Sequence, residues 1–94
     1  ITQTATAGDT IHTAHASALD EIWIYAVNIG DGDVEVTIEF GGTDPENCIP
    51  CTVPGKSGEQ FIIPGNILTN SLIVRAFAET ANVIVIYGWV NRIS

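Results

Sequence analysis

Asp20-Glu21-Ile22-Trp23-Ile24-Tyr25-Ala26-Val27-Asn28-Ile29-Gly30-Asp31-Gly32-Asp33-Val34-Glu35-Val36-Thr37-Ile38-Glu39-Phe40 is the stretch on which the fold class turns. From Asp33 to Phe40 apolar and polar residues alternate strictly. Val34, Val36, Ile38 and Phe40 fall on one side, and Asp33, Glu35, Thr37 and Glu39 on the other. A period of two is that of a strand with one face buried, so the acidic side is expected to form a water-facing row. The segment from Ile22 to Ile29 is apolar on both faces, with Ile22, Ile24 and Ala26 on one and Trp23, Tyr25 and Val27 on the other. A strand of that kind needs cover on each side. Gly30-Asp31-Gly32 accepts the positive φ of a tight turn, and the two segments are therefore expected to pair as one long hairpin.

Outward from this hairpin, the remaining chain reads as further strands separated by turn formers. Ile1–Gly8 alternates Thr with Ala, which suits an edge strand or an N-terminal arm over residues 1–9 laid on a neighbour, or a loosely ordered end. After Phe40 the run Gly41-Gly42-Thr43-Asp44-Pro45-Glu46-Asn47 takes the chain out of the sheet. Cys48–Val53 is a short strand that Pro50 confines to an edge. Pro54–Gly58 is a turn, Glu59–Ile63 a strand and Pro64-Gly65-Asn66 another turn; 65–70 has room for one helical turn. Ser71–Ala78 and Val83–Ile93 are strands joined by Glu79-Thr80-Ala81-Asn82, a connection of hairpin length. Gly88 inside the last strand marks a bulge or a close backbone approach. Six to eight strands with no helical period predict an all-β chain, an antiparallel β-sandwich of jelly-roll type, as a single domain over residues 1–94.

Composition narrows the function classes. The 94 residues combine 46% hydrophobic content with a net charge of −8, and Lys56, Arg75 and Arg92 are the only cations. Three cations cannot neutralise a phosphate backbone or hold an anionic bilayer, so neither nucleic acid nor membrane is expected as a partner. The apolar runs Ile22–Val27 and Val83–Val90 are far shorter than the ~20 residues of a spanning helix. The sequence begins at Ile1 and holds no Met, from which residues ahead of Ile1 are expected to have been removed or left out.

Few residue sets here carry chemistry. Cys48-Ile49-Pro50-Cys51 places two sulfurs three positions apart, a spacing that closes a small disulfide or shares a metal. A tetrahedral metal site needs two more ligands, for which His12 and His15 have the right types. The redox form of the motif belongs at a helix N-terminus, and Pro50 with its extended surroundings offers none, so two reduced thiols in a loop are the favoured reading. Asp31, Asp33 and Glu35 lack the flanking pattern of a Ca²⁺ loop and read as a solvated turn. No catalytic constellation emerges, and neither enzymatic activity nor a cofactor is expected.

The aromatic residues point elsewhere. A sandwich core consumes one face of each strand, which leaves Trp23, Tyr25, Val27, Ile73, Phe77, Tyr87 and Trp89 outside it. Left bare, they would make a patch on the order of several hundred Å², more than soluble monomers usually tolerate. These seven are the expected self-association interface.

Thr10-Ile11-His12-Thr13, Leu19 to Asn28, Thr37-Ile38-Glu39-Phe40-Gly41-Gly42, Thr52-Val53-Pro54, Ile63-Pro64-Gly65, Leu68-Thr69-Asn70-Ser71-Leu72 and Gly88-Trp89-Val90-Asn91-Arg92-Ile93 follow one another in an order that resembles small virion structural proteins of tailed bacteriophages. The resemblance spans most of the chain as a pattern of strands and turns. It implies a capsid decoration (cement) protein, a β-sandwich that associates as a homotrimer on the head exterior and contacts the major capsid protein or other virion proteins. The arm 1–9 and the turn Pro54–Gly58 are then expected to touch the shell. The alternatives are a tail or fibre module, in which Trp23, Tyr25 or Trp89 would stack on host glycans, and a small metal-binding or redox protein using Cys48 and Cys51.

Overall fold

Strands β2 (Leu19–Asn28) and β3 (Val34–Phe40) form with the phases the sequence dictates, yet they do not pair with each other. In the computed structural model, which describes residues 1–56 and 58–93, they lie in different sheets. The others are β1 (Asp9–Thr13), β4 (Cys48–Val53), β5 (Gln60–Leu68), β6 (Ile73–Ala78) and β7 (Ile84–Ile93), with a 3-10 turn at Pro45–Asn47. One sheet has the order β1-β6-β3-β4 and the other β5-β2-β7, every pairing antiparallel. The expected hairpin is thus an arch that steps from one sheet to the other, and the all-β sandwich is correct with seven strands.

Asn28 explains the arch. It is in phase with Ile22, Ile24 and Ala26, so its side chain points into the sandwich and is fully buried. Its Nδ2 donates to Gly32 O (2.8 Å) and Val53 O (2.9 Å), and its Oδ1 accepts from Gly30 N (2.9 Å). One side chain therefore satisfies two backbone groups of the connection, Gly30 N and Gly32 O, and one of β4, Val53 O. The arch lays the Ile22/Ile24/Ala26 stripe across the core from Val36 and Ile38, where a hairpin would have set them side by side.

Pairings β1·β6, β2·β5 and β3·β4 nest inside one another, the wrapping of a jelly roll in a six-strand form, and β7 is added beside β2. The connection Glu79–Asn82, of hairpin length, in fact crosses between sheets. The core holds Ile22, Ile24, Ala26, Val36, Ile38, Val53, Ile63, Val74, Ala76, Ala78 and Ile84, all essentially inaccessible. Each buried Ile or Val contributes roughly 1.5–3 kcal/mol.

Two further expectations change. Pro64-Gly65-Asn66 is no turn: β5 runs straight through it, and the pairing with β2 skips Gly65 and Ile62. Gly65 adopts φ +83°, and a Cβ there would sit 2.7 Å from the Trp23 indole, so the bulge makes room for that ring. Glu39 is not water-facing either. It is fully buried because residues 1–8 fold back over the outer face of the four-stranded sheet. Gly8 N donates to Glu39 Oε1 (2.6 Å) and the Thr6 hydroxyl donates to Glu39 Oε2. Further along the arm, Ala78 N donates to Gln3 O (3.1 Å) and Asn82 N to Ile1 O (2.8 Å). The Thr2 backbone N–H reaches the Asp9 carboxylate (2.5 Å) and holds that carboxyl below its ordinary range.

Glu39→Ala is expected to free this arm without unfolding the sandwich. Limited digestion with proteinase K, followed by mass spectrometry, should show cleavage within residues 1–8 and a resistant remainder. Digestion matching the wild type would mean that the Gln3 and Ile1 contacts suffice to hold the arm.

Candidate functional site

The outer face of the three-stranded sheet carries an aromatic row built across all its strands. Trp23 and Tyr25 stand on the central strand β2, Phe61 on β5 and Trp89 on β7. Trp23 lies between Phe61 (centroids 5.9 Å, planes 11° apart) and Trp89 (5.6 Å, 10°). Tyr25 lies between the same two rings, at 4.5 Å and 5.7 Å. Separations of this size match the ~4.8 Å between neighbouring strands, so the rings stand on the sheet and cover each other's faces. The two rings at the ends of the row, Phe61 on β5 and Trp89 on β7, stay about half exposed.

Five of the seven expected interface residues share this face: Trp23, Tyr25, Val27, Tyr87 and Trp89. Ile73 and Phe77 do not. They alternate with the buried Val74, Ala76 and Ala78 on β6 and so face outward from the other sheet, where Phe77 borders a shallow depression shared with Thr4, Ala5 and Thr6 of the arm. The structure adds Phe61 and Ile67, both about half exposed. Phe61 sits in a predicted strand, but strict alternation puts it, like Ile67 further along, in phase with the buried Ile63. The bulges at Ile62 and Gly65 each shift that phase by one and turn the two residues outward.

At one end of the sandwich, Asp20 is fully buried and ties three strands together. Its Oδ1 accepts from Arg92 Nε (2.7 Å) of β7, and its Oδ2 accepts from Arg92 Nη2 (3.1 Å), His12 Nε2 (2.9 Å) of β1 and His15 N (3.2 Å). The Arg92 guanidinium first, and then His12, hold the Asp20 carboxyl well below the usual carboxylate range, and Asp20 in turn raises Arg92. His12 also borders a cleft of about 240 Å³ between β1 and β7, lined by Ile11, Ile22 and Ile24 among others. Both carboxylate oxygens are engaged by donors, so Asp20 works as a clasp between the sheets. Asp20 shares the phase of Ile22, Ile24 and Ala26, a signal in the sequence that marked it as inward.

The metal candidates are not brought together. Cys48 and Cys51 stand an odd number of residues apart on β4, so Cys51 packs against the core while Cys48 faces outward beside Pro50. Both are free thiols. β4 and β1 are the opposite edges of the four-stranded sheet, three strand spacings or about 14 Å apart, which separates the cysteines from His12 and His15. The His15 ring is itself engaged: its Nδ1 accepts from Ser17 N (3.1 Å) and Ala18 N (2.9 Å). Among the described residues no three His, Cys, Asp or Glu side chains cluster so as to hold a metal ion.

The predicted turn Pro54–Gly58 contains Ser57, which lies outside the described residues. Its near part docks on the arch, with Lys56 N donating to Asn28 O (2.9 Å) and Lys56 Nζ 2.8 Å from Asp31 Oδ1.

Comparison with protein-family models, with curated proteins and with solved structures finds no match.

Proposed function

We propose that this chain is a non-enzymatic structural protein that associates with its own copies, a decoration (cement) protein on the head exterior of a tailed bacteriophage. The observation that carries the self-association reading is the aromatic row of the three-stranded sheet, at whose β7 end Tyr87 and Trp89 are 53% and 54% exposed. Large aromatic side chains dominate the energetics of protein interfaces, because each removes ~150–250 Å² from water when covered. Assignment to a phage head rests on the resemblance of the strand-and-turn pattern. The acidic charge of −8 favours a position away from packaged nucleic acid.

The geometry of the row supports a protein contact over a glycan contact. A sugar stacks on a ring face, and the inner faces of this row are occupied by neighbouring rings. The separation of Cys48 from Cys51 onto opposite faces of β4 disfavours the redox and metal alternatives.

Trp89→Asp is expected to lower the native mass measured by light scattering while leaving the far-ultraviolet circular dichroism of the β-sandwich unchanged. An unaltered mass would remove Trp89 from the interface. For the phage assignment, imaging virions with and without this protein should show density lost from the capsid exterior; loss from the tail alone would overturn the head location.

A further inference from the structure

We infer that the open edge of β7 is where two copies join, strand to antiparallel strand, so that the three-stranded sheets of both become one six-stranded sheet. This deepens the self-association reading and rests on it. Among the four sheet edges, β7 is the one without a built-in block. β4 carries Pro50, β5 carries Pro64 and two bulges, and β1 is five residues long with a register shift between Thr10 and His12. β7 runs ten residues in unbroken register with β2 and has neither proline nor bulge. Natural edges are usually protected by a charge, and here the stretch from Ile84 to Asn91 carries none. Arg92, the only charged residue of the strand, is held by Asp20.

The backbone chemistry of that edge selects a strand as the occupant. Ile29 N donates to Val83 O (2.9 Å), which makes the odd-numbered residues of β7 the ones bonded to β2. The N–H and C=O groups of the even-numbered residues therefore point to the open side. Ile84 O is already taken by the Ile1 nitrogen (2.7 Å), an outward direction that agrees with this parity. Ile86, Gly88, Val90 and Arg92 remain, four residues whose main-chain donors and acceptors an added strand would satisfy.

Side-chain chemistry selects the same chain as the source of that strand. Pairing Ile86 with Arg92 of the second copy and Gly88 with its Val90 uses all four residues and places the two-fold axis at Trp89. The half-exposed Trp89 ring then meets its own counterpart, and the row continues through the aromatic rings of the second copy. Because Ile84 to Asn91 carries no charge and Arg92 is paired with Asp20, two chains of charge −8 meet where repulsion is least. The half-exposed Tyr87 and Trp89 leave roughly 200 Å² per copy to cover. The paired backbones and the side chains flanking Trp89 add to that area. The geometry gives an even stoichiometry where the phage resemblance implies a trimer.

Amide hydrogen exchange of the full chain, read residue by residue at low and high protein concentration beside light scattering, tests the inference. The expected result is a doubling of mass with at least tenfold slower exchange at Ile86, Gly88, Val90 and Arg92, and no comparable change at β4. Trp89→Asp should abolish both effects. A mass increase with those four amides still exchanging freely would overturn the edge contact and leave self-association standing. A mass that stays monomeric up to millimolar concentration would overturn both.

Discussion

Replacing Gly88 by Ala is expected to cost about 3 kcal/mol of folding stability, at the upper end of overpacking effects. A Cβ at this position would lie 1.9 Å from the Trp23 carbonyl oxygen and 3.2 Å from Ile24 Cα. These are backbone atoms of the central strand, so no rotamer change relieves the contact and β7 must lift from β2 locally. The sequence allowed either a bulge or a close approach at Gly88, and the unbroken β2·β7 register shows the close approach. Urea denaturation measures the loss as a shift in midpoint at constant slope. Gly32→Ala is the control: nothing lies within 4 Å of the added methyl, and the change should stay within about 0.5 kcal/mol. Equal midpoints for the two variants would show that β7 moves away from Trp23 at little cost.

Substituting Asp20 by Asn is expected to lower stability at neutral pH and to change its dependence on acid. The Asp20 carboxyl is held low in the folded protein by Arg92 and His12, against an ordinary value of 3.8. A depressed folded value means that the unfolded chain binds the proton first as the pH falls. The stabilisation is therefore full above about pH 5 and declines as the pH drops past 3.8 toward the folded value. In the wild type, urea midpoints measured from pH 6 to pH 2 should fall along this limb. In the Asn variant the limb should be flatter and should start from a lower midpoint at pH 6, because the Arg92 guanidinium loses its carboxylate. Parallel curves for the two proteins would assign the acid sensitivity to other carboxylates.

How far the sequence reached is clearest at β2 and β3. The two-residue period placed Val34, Val36 and Ile38 on the buried face and both strands in nearly the observed positions, because burial of alternate residues is a local property. It could not decide between hairpin and arch. That choice depends on Asn28, whose amide reaches Val53, a residue 25 positions away. The acidic residues tell the same story: Glu39 alternates with apolar neighbours as a solvated residue would, and its burial comes from an arm more than thirty residues upstream. The aromatic face was readable where the phase was regular, at Trp23, Tyr25, Tyr87 and Trp89. It failed at Ile73 and Phe77 because sheet membership, which separates β6 from β2 and β7, is not encoded in the spacing of side chains.

The nested wrapping has a consequence for how the molecule comes into being. Residues 9–13 pair with 73–76, and residues 19–28 with 84–93, so the two sheets are each closed by segments far apart along the polypeptide. Ordering such distant partners must precede the reward from their contacts, which places a chain of this topology among slow folders. Until the last strand arrives, the apolar flank of β2 stands uncovered, and the interval before its arrival is when this polypeptide is most exposed to adhesion by strangers.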